Sequence, residues 1–209
     1  MKRLKQLMVL AICLHSMSAC KTDGFTGAEL DRINAGNSST IMPLFTISVK
    51  SDSLLLRKKS RNINVKHIES ESMKVLRARM LATVRDTLNL GVGIAAPQVG
   101  VNLKVIYVQR FDKDGEPFEV YYNPEIIAYG DSINSGLEGC LSVPNYRANV
   151  ERSQNIELSY LDSTGKKQTE KINDFTAVIF QHEVDHINGT LYFDHVNSGF
   201  DGLSFVDEL

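Results

Sequence analysis

Residues 181–186 read Gln-His-Glu-Val-Asp-His, and they constrain the fold of this chain more than any other segment. The apolar pattern from Asp174 to Asn188 predicts one helix, capped by Asn173 or Asp174 and stopped by Gly189. Residues four apart share a helical face, so His182 and His186 point the same way and can bind one metal ion. Glu183, beside the first histidine, can then handle a proton at that ion. Phe175, Val178 and Ile179 lie on the same stripe, which predicts that the histidines face the core. A lone buried histidine is ordinarily a hydrogen-bonded core residue. Two in register with an intervening Glu make a metal site the stronger reading.

A catalytic metal usually has three protein ligands and one open position. The HExxHxxGxxH pattern of metalloproteases is followed through Gly189, but Tyr192 stands where the third histidine belongs. His195 fits no such spacing and reads as a surface residue. Cys140, in Glu-Gly-Cys-Leu-Ser between predicted strands, is the better third donor. A thiolate with two imidazoles suits Fe(II), Zn, Ni or Co better than Mg or Ca. A metal-free Cys–His nucleophile is the other active reading of Cys140, and a small buried hydrophobe the inert one.

The remaining pattern is mixed. Met73, Leu76, Met80, Val84 and Leu88 recur at helical intervals and predict an amphipathic helix over Ser70–Leu88, capped by Ser70 or Ser72 and ended by Gly91. Lys104–Arg110 and a strand from Phe118 flank a turn at Asp112, and Ile156–Tyr160 and Lys167–Ile172 flank another. Strands in runs with segregated helices indicate an α+β class. At 209 residues the chain can bury a core without disulfides or structural metal, so a metal would be functional. With 23 Lys+Arg against 25 Asp+Glu and Lys and Arg spread rather than massed, the charge argues against a nucleic-acid surface.

The first residues read as a leader: a basic start, an apolar run from Leu7 to Leu14, then Met17-Ser18-Ala19-Cys20. The run is too short to span a bilayer. Its end resembles a lipobox, with Met17 in place of the usual Leu and Cys20 as the acylated residue. Residues 1–19 are therefore read as a lipoprotein-type signal peptide, 20–40 as a flexible tether rich in Gly, Ser, Thr and Asn, and 41–209 as one catalytic domain. Cleavage would remove Lys2, Arg3 and Lys5 and take the net charge from −2 to −5. Membrane association is expected only through Cys20, on an envelope lipoprotein facing the periplasm; a leader with another role would leave the protein cytoplasmic.

Gly91-Val-Gly-Ile-Ala-Ala-Pro-Gln98 is small and apolar. It follows a helix, and Pro97 would interrupt the helix that a dinucleotide-binding loop requires. Gln98 can donate to an oxyanion. Together, GVGIAAPQ, EGCLS and HEVDH, with VPNYRANVER after the cysteine, resemble the three ordered motifs of the peptide deformylases over roughly Leu55–Asp194.

That resemblance implies antiparallel β-sheets wrapped around a central helix carrying the metal motif, and removal of formyl from N-formyl-methionyl peptides. It assigns Cys140, His182 and His186 to a metal, natively Fe(II) with Zn, Ni or Co able to substitute. It makes Glu183 the proton carrier, and Gln98 and the Leu141 backbone N–H the oxyanion donors. Val92 and Gly93 would pair with an extended substrate backbone. Arg147 would contact substrate or form a salt bridge with Glu138, and Asp185 would anchor the helix. A monomer is expected. The alternatives are a related metal-dependent amidase or peptidase acting on another acyl group, and a non-catalytic metal-binding envelope lipoprotein.

Overall fold

The computed structural model describes residues 24–88, 90–196, 199 and 203–205, so the leader and Cys20 lie outside the described residues. In chain order the elements are α1 (Gly27–Ile33), α2 (Lys50–Leu56), α3 (Glu71–Val84), β1 (Gly93–Ala95), β2 (Val105–Gln109), β3 (Phe118–Tyr129), β4 (Ile133–Cys140), β5 (Val143–Ser153), β6 (Asn155–Leu161), β7 (Lys167–Asn173), α4 (Asp174–Asn188) and β8 (Ser204–Phe205). One sheet has the order β1-β2-β3-β6-β7 and the other β4-β5-β8, with all pairings antiparallel. This is the α+β architecture expected, with α4 packed between the sheets' contributions.

Helix α4 keeps its predicted bounds. Gly189 ends it at φ +78, where a Cβ would also sit 2.6 Å from the Arg57 carbonyl oxygen, so only glycine closes the helix this way. Ile179, Phe180, Val184 and Ile187 bury against Ile106, Val108, Tyr121 and Leu158 of the five-stranded sheet. This packing holds the histidine turn rigidly, since interior side chains have few alternative rotamers at native density.

Helix α3 is capped by Ser70, whose Oγ accepts the Met73 N–H, and buries Met73, Leu76, Met80 and Val84. It stops at Val84 rather than Leu88, and Leu88 is exposed at the mouth of the main cavity. The tether expected over residues 20–40 is also corrected from Phe25 onward. Thr26 and Glu29 form a reciprocal capping box that starts α1, and Phe25 and Ile33 are buried. The buried Arg79 guanidinium then donates to the carbonyls of Arg32, Ile33 and Thr40, binding this segment to the domain. The β4–β5 hairpin is a further addition to the expected strands: Cys140 ends β4, paired with Val143 after a register shift that follows Gly139.

Candidate active site

A cavity of about 670 Å³ opens between β1, the β4–β5 turn and the first half of α4. Cys140 Sγ and the ring nitrogens of His182 and His186 lie within 4.8 Å of one another there, with Sγ 3.2 Å from His186 Nε2. The donors come from two unrelated elements, a strand end and a helix face, which is why spacing alone could pair the histidines but not supply the third donor. Burial opposes ionisation of the Cys140 thiol, but the two imidazoles beside it outweigh burial and hold it well below the ordinary thiol range. The Ser142 backbone N–H, 3.3 Å from Sγ, supports the same charge.

Glu183 is 3% exposed and its Oε2 is buried without a hydrogen-bond partner. Burial pushes its carboxyl up to about 7, against a smaller opposing pull from His182 and His186. A Cβ on Gly93 would lie 2.5 Å from Glu183 Oε1, so the glycine makes room for the carboxylate. Gln98 is fixed in orientation: its Oε1 accepts the Ala95 N–H at 2.8 Å, which turns its NH₂ toward Cys140 Sγ at 3.6 Å. Leu141 lines the same cavity.

Strand β1 is the edge of the five-stranded sheet. The Val92 carbonyl accepts the Gln109 N–H at 2.8 Å, so by antiparallel alternation the N–H and C=O of Gly93 face the free edge. That edge borders the cavity, an arrangement able to receive an extended backbone.

Two expectations change. The stripe containing Phe175 and Val178 lines the cavity rather than the core, and Phe175 is 53% exposed. The salt bridge weighed between Arg147 and Glu138 is absent: Glu138 pairs with Arg152, at 2.8 Å to Nε and 3.1 Å to Nη2, while Arg147 is exposed along the cavity wall. Arg152 was missed, although Ala148, Val150 and Arg152 alternate as inward positions of β5, and an arginine on an inward face calls for a buried acid.

Glu138 and Arg152 belong to a chain of contacts behind the histidines. Glu138 Oε2 lies 2.8 Å from His182 Nδ1, leaving Nε2 free to face the cavity. Burial opposes the Glu138 carboxylate, but His182 and Arg152 lower it to about 2. Arg152 Nη1 reaches Asp185 Oδ2 at 2.7 Å, and His195 Nε2 meets the same oxygen at 2.8 Å. Asp185 thus anchors α4 as expected, and His195, exposed as expected, is its second partner.

The family model described as polypeptide deformylase matches residues 45–200. The peptide deformylase of Agrobacterium fabrum is 41% identical over 136 residues, which span 63% of this chain and 78% of the relative. That of Prochlorococcus marinus is 39% identical over 146 residues, spanning 69% and 70%. Among solved structures, a class I type b peptide deformylase from Acinetobacter baumannii with Met-Ala-Ser bound is similar at TM-score 0.67 and 32% identity, covering 76% of this chain and 99% of that one. The Thermotoga maritima enzyme is similar at TM-score 0.65 and 29% identity, over 75% and 98%.

Proposed function

This chain belongs to the polypeptide deformylase family and is an enzyme that removes formyl from N-formyl-methionyl peptides, and on that premise we propose that Cys140, His182 and His186 hold its divalent metal and that Glu183 carries its proton. The observation that carries the assignment is the convergence of one thiolate and two imidazole nitrogens within 4.8 Å, beside a buried carboxylate oxygen that has no partner. The donor set fits a borderline or soft dication, and we assign ferrous iron, with Zn, Ni or Co as substitutes. Such an ion supplies positive charge that acidifies water and polarises the formyl oxygen.

The chain's own residues do the rest. Glu183 accepts a proton as water adds to the formyl carbon, because its buried Oε2 lies beside the ligand set with no other hydrogen-bond partner. The oxygen that gains charge is met by the Gln98 NH₂, already aimed by the Ala95 contact, and by the Leu141 backbone N–H. As the C–N bond breaks, Glu183 returns its proton to the leaving amine and formate departs. Gly93 orients the substrate backbone at the β1 edge; Val92, expected to share that role, has its carbonyl turned to Gln109 and only lines the cavity, and the exposed Arg147 contacts the substrate's later residues. The tripeptide in the Acinetobacter structure has the chemistry of a deformylated product, which supports a short methionyl peptide as the ligand of this cavity.

We further propose that residues 1–19 are a signal peptide and that Cys20 is acylated, placing a monomeric enzyme at the envelope, where it meets formylated peptides that leave the cytoplasm. Two measurements test these assignments. Cys140→Ala should lose bound metal, read by elemental analysis of purified protein, whereas a wild-type metal content would remove Cys140 from the ligand set. Fatty-acid labelling of the expressed chain should depend on Cys20; labelling that survives Cys20→Ser, or no labelling, would remove the anchor.

A further inference from the structure

Four of the five residues from Arg57 to Arg61 are basic, so Lys and Arg are massed at this one segment and not spread throughout as expected. This segment meets the start of the described chain: Arg61 Nη1 donates to the Gly24 carbonyl at 3.1 Å and Nη2 pairs with Glu29. Arg32, Lys58 and Arg61 line one cavity of about 260 Å³ beside Thr26. Of the five cations Arg32, Arg57, Lys58, Lys59 and Arg61, two are offset by ion pairs, Arg57 with Asp194 and Arg61 with Glu29. Counting Asp31, next to Arg32, still leaves an excess of positive charge, on a chain whose net charge is −2. Lys58 and Lys59 are exposed.

The segment crosses the C-terminal end of α4, where cations can serve the helix dipole. That need is already met by other donors. The Ser60 N–H takes the Ile187 carbonyl at 2.8 Å, Gly189 N–H that of His186, Thr190 N–H that of Asp185, and Asn188 Nδ2 that of Val184. Lys58 and Lys59 are therefore not required to close the helix. The active-site cavity lies toward the other end of α4, lined by Phe175, Val178 and His182. From Phe175 to Gly189 the helix rises about 21 Å.

We infer that residues 57–61, with Arg32, form a face that lies against an anionic phospholipid surface and holds the mouth of the peptide site on the side away from the bilayer. The inference rests on the lipoprotein reading of Cys20: three residues separate it from Gly24, so an acyl chain there is tethered by at most about 14 Å of chain to Gly24, whose carbonyl accepts from Arg61. The acyl chain supplies attachment, and the basic face supplies orientation. Each Lys or Arg near such a surface raises partitioning about fivefold, and the effect decays within a Debye length.

The described cores begin at Phe25, so a chain starting at Lys21 keeps them all, and its formate release reports folding in every sample. The metal-loaded protein from Lys21 is sedimented with vesicles of phosphatidylcholine alone, or with about 30% phosphatidylglycerol, at roughly 0.05 M and 0.5 M salt. Binding should require phosphatidylglycerol, weaken at the higher salt, and fall at least about tenfold in Lys58→Glu/Lys59→Glu. The same charge change on β7, Lys167→Glu/Lys171→Glu, should leave it intact. Equal sedimentation with both vesicle types, or binding unchanged by Lys58→Glu/Lys59→Glu, would overturn the inference. Because this test uses no acyl group, its failure is distinguishable from failure of Cys20 labelling.

Discussion

Replacing Glu183 by Gln should abolish activity and at the same time stabilise the metal-free protein above neutral pH. In the fold the carboxyl titrates near 7, raised chiefly by burial from an ordinary value of 4.5. A raised folded value means that the folded state binds more protons than the unfolded state between these two pH values. The associated stability is fully present below 4.5 and is lost as pH rises through about 7, where the fold must hold a buried carboxylate. At about 1.4 kcal/mol per pH unit over that interval, the cost reaches roughly 3 kcal/mol by pH 8. The amide introduced by Glu183→Gln carries no charge and escapes that cost. Urea unfolding of chelator-treated protein should therefore show the Gln variant more stable at about pH 8 by up to ~3 kcal/mol, with the difference shrinking toward zero near pH 5. Formate release by the metal-loaded variant should fall by about two orders of magnitude or more. Equal stability of the two proteins at every pH, or a difference independent of pH, would refute the reasoning that burial of this carboxylate is what raises it.

Other outcomes follow from the same contacts. Gly93→Ala places a Cβ where Glu183 Oε1 now lies 2.5 Å away, so kcat should drop at least about tenfold while elemental analysis shows metal retained. Glu138→Gln should weaken metal affinity by about 10–100-fold in a competitive chelator titration, since it removes the carboxylate that orients His182. Gln98→Leu should lower kcat by about 10²–10³ with metal content unchanged, because only the developing oxyanion loses its donor.

The helix that carries the histidines was legible to its ends because its apolar period and Gly189 stop agree with one another; Asn173 holds the N-cap position, but its side chain accepts from Asn155 instead of capping the helix. Strands β2, β6 and β7 were legible because turn residues bound them, β2 as a continuous apolar run buried from Val105 to Val108, and β6 and β7 with apolar positions between polar ones. The β4–β5 hairpin was not, because Ile133–Leu137 is exposed along its whole length and leaves no alternation to read. Helix α1 hid in a polar stretch, although Thr26 and Glu29 carry the spacing of a capping box. At the site, Cys140, His182, His186, Glu183 and Gln98 were named from the sequence and lie together, whereas the cavity residues Leu137, Asn145 and Tyr146, and Arg152 behind the histidines, were not named. The role of Arg152 depends on which acid faces it across the β4–β5 hairpin and α4, and sequence distance does not report that. Phe175 has the period of a core residue but lies where the core opens into the cavity.

The measurement that bears most directly on the account is formate release from formyl-Met-Ala-Ser by the protein purified without oxygen and loaded with Fe(II), Ni(II) or Zn(II). Stoichiometric metal, turnover with Fe(II), and loss of turnover but not of metal in Glu183→Gln are the results expected from a site built on Cys140, His182, His186 and Glu183. Turnover that persists in Glu183→Gln, or none with any of the three metals fully bound, would contradict it.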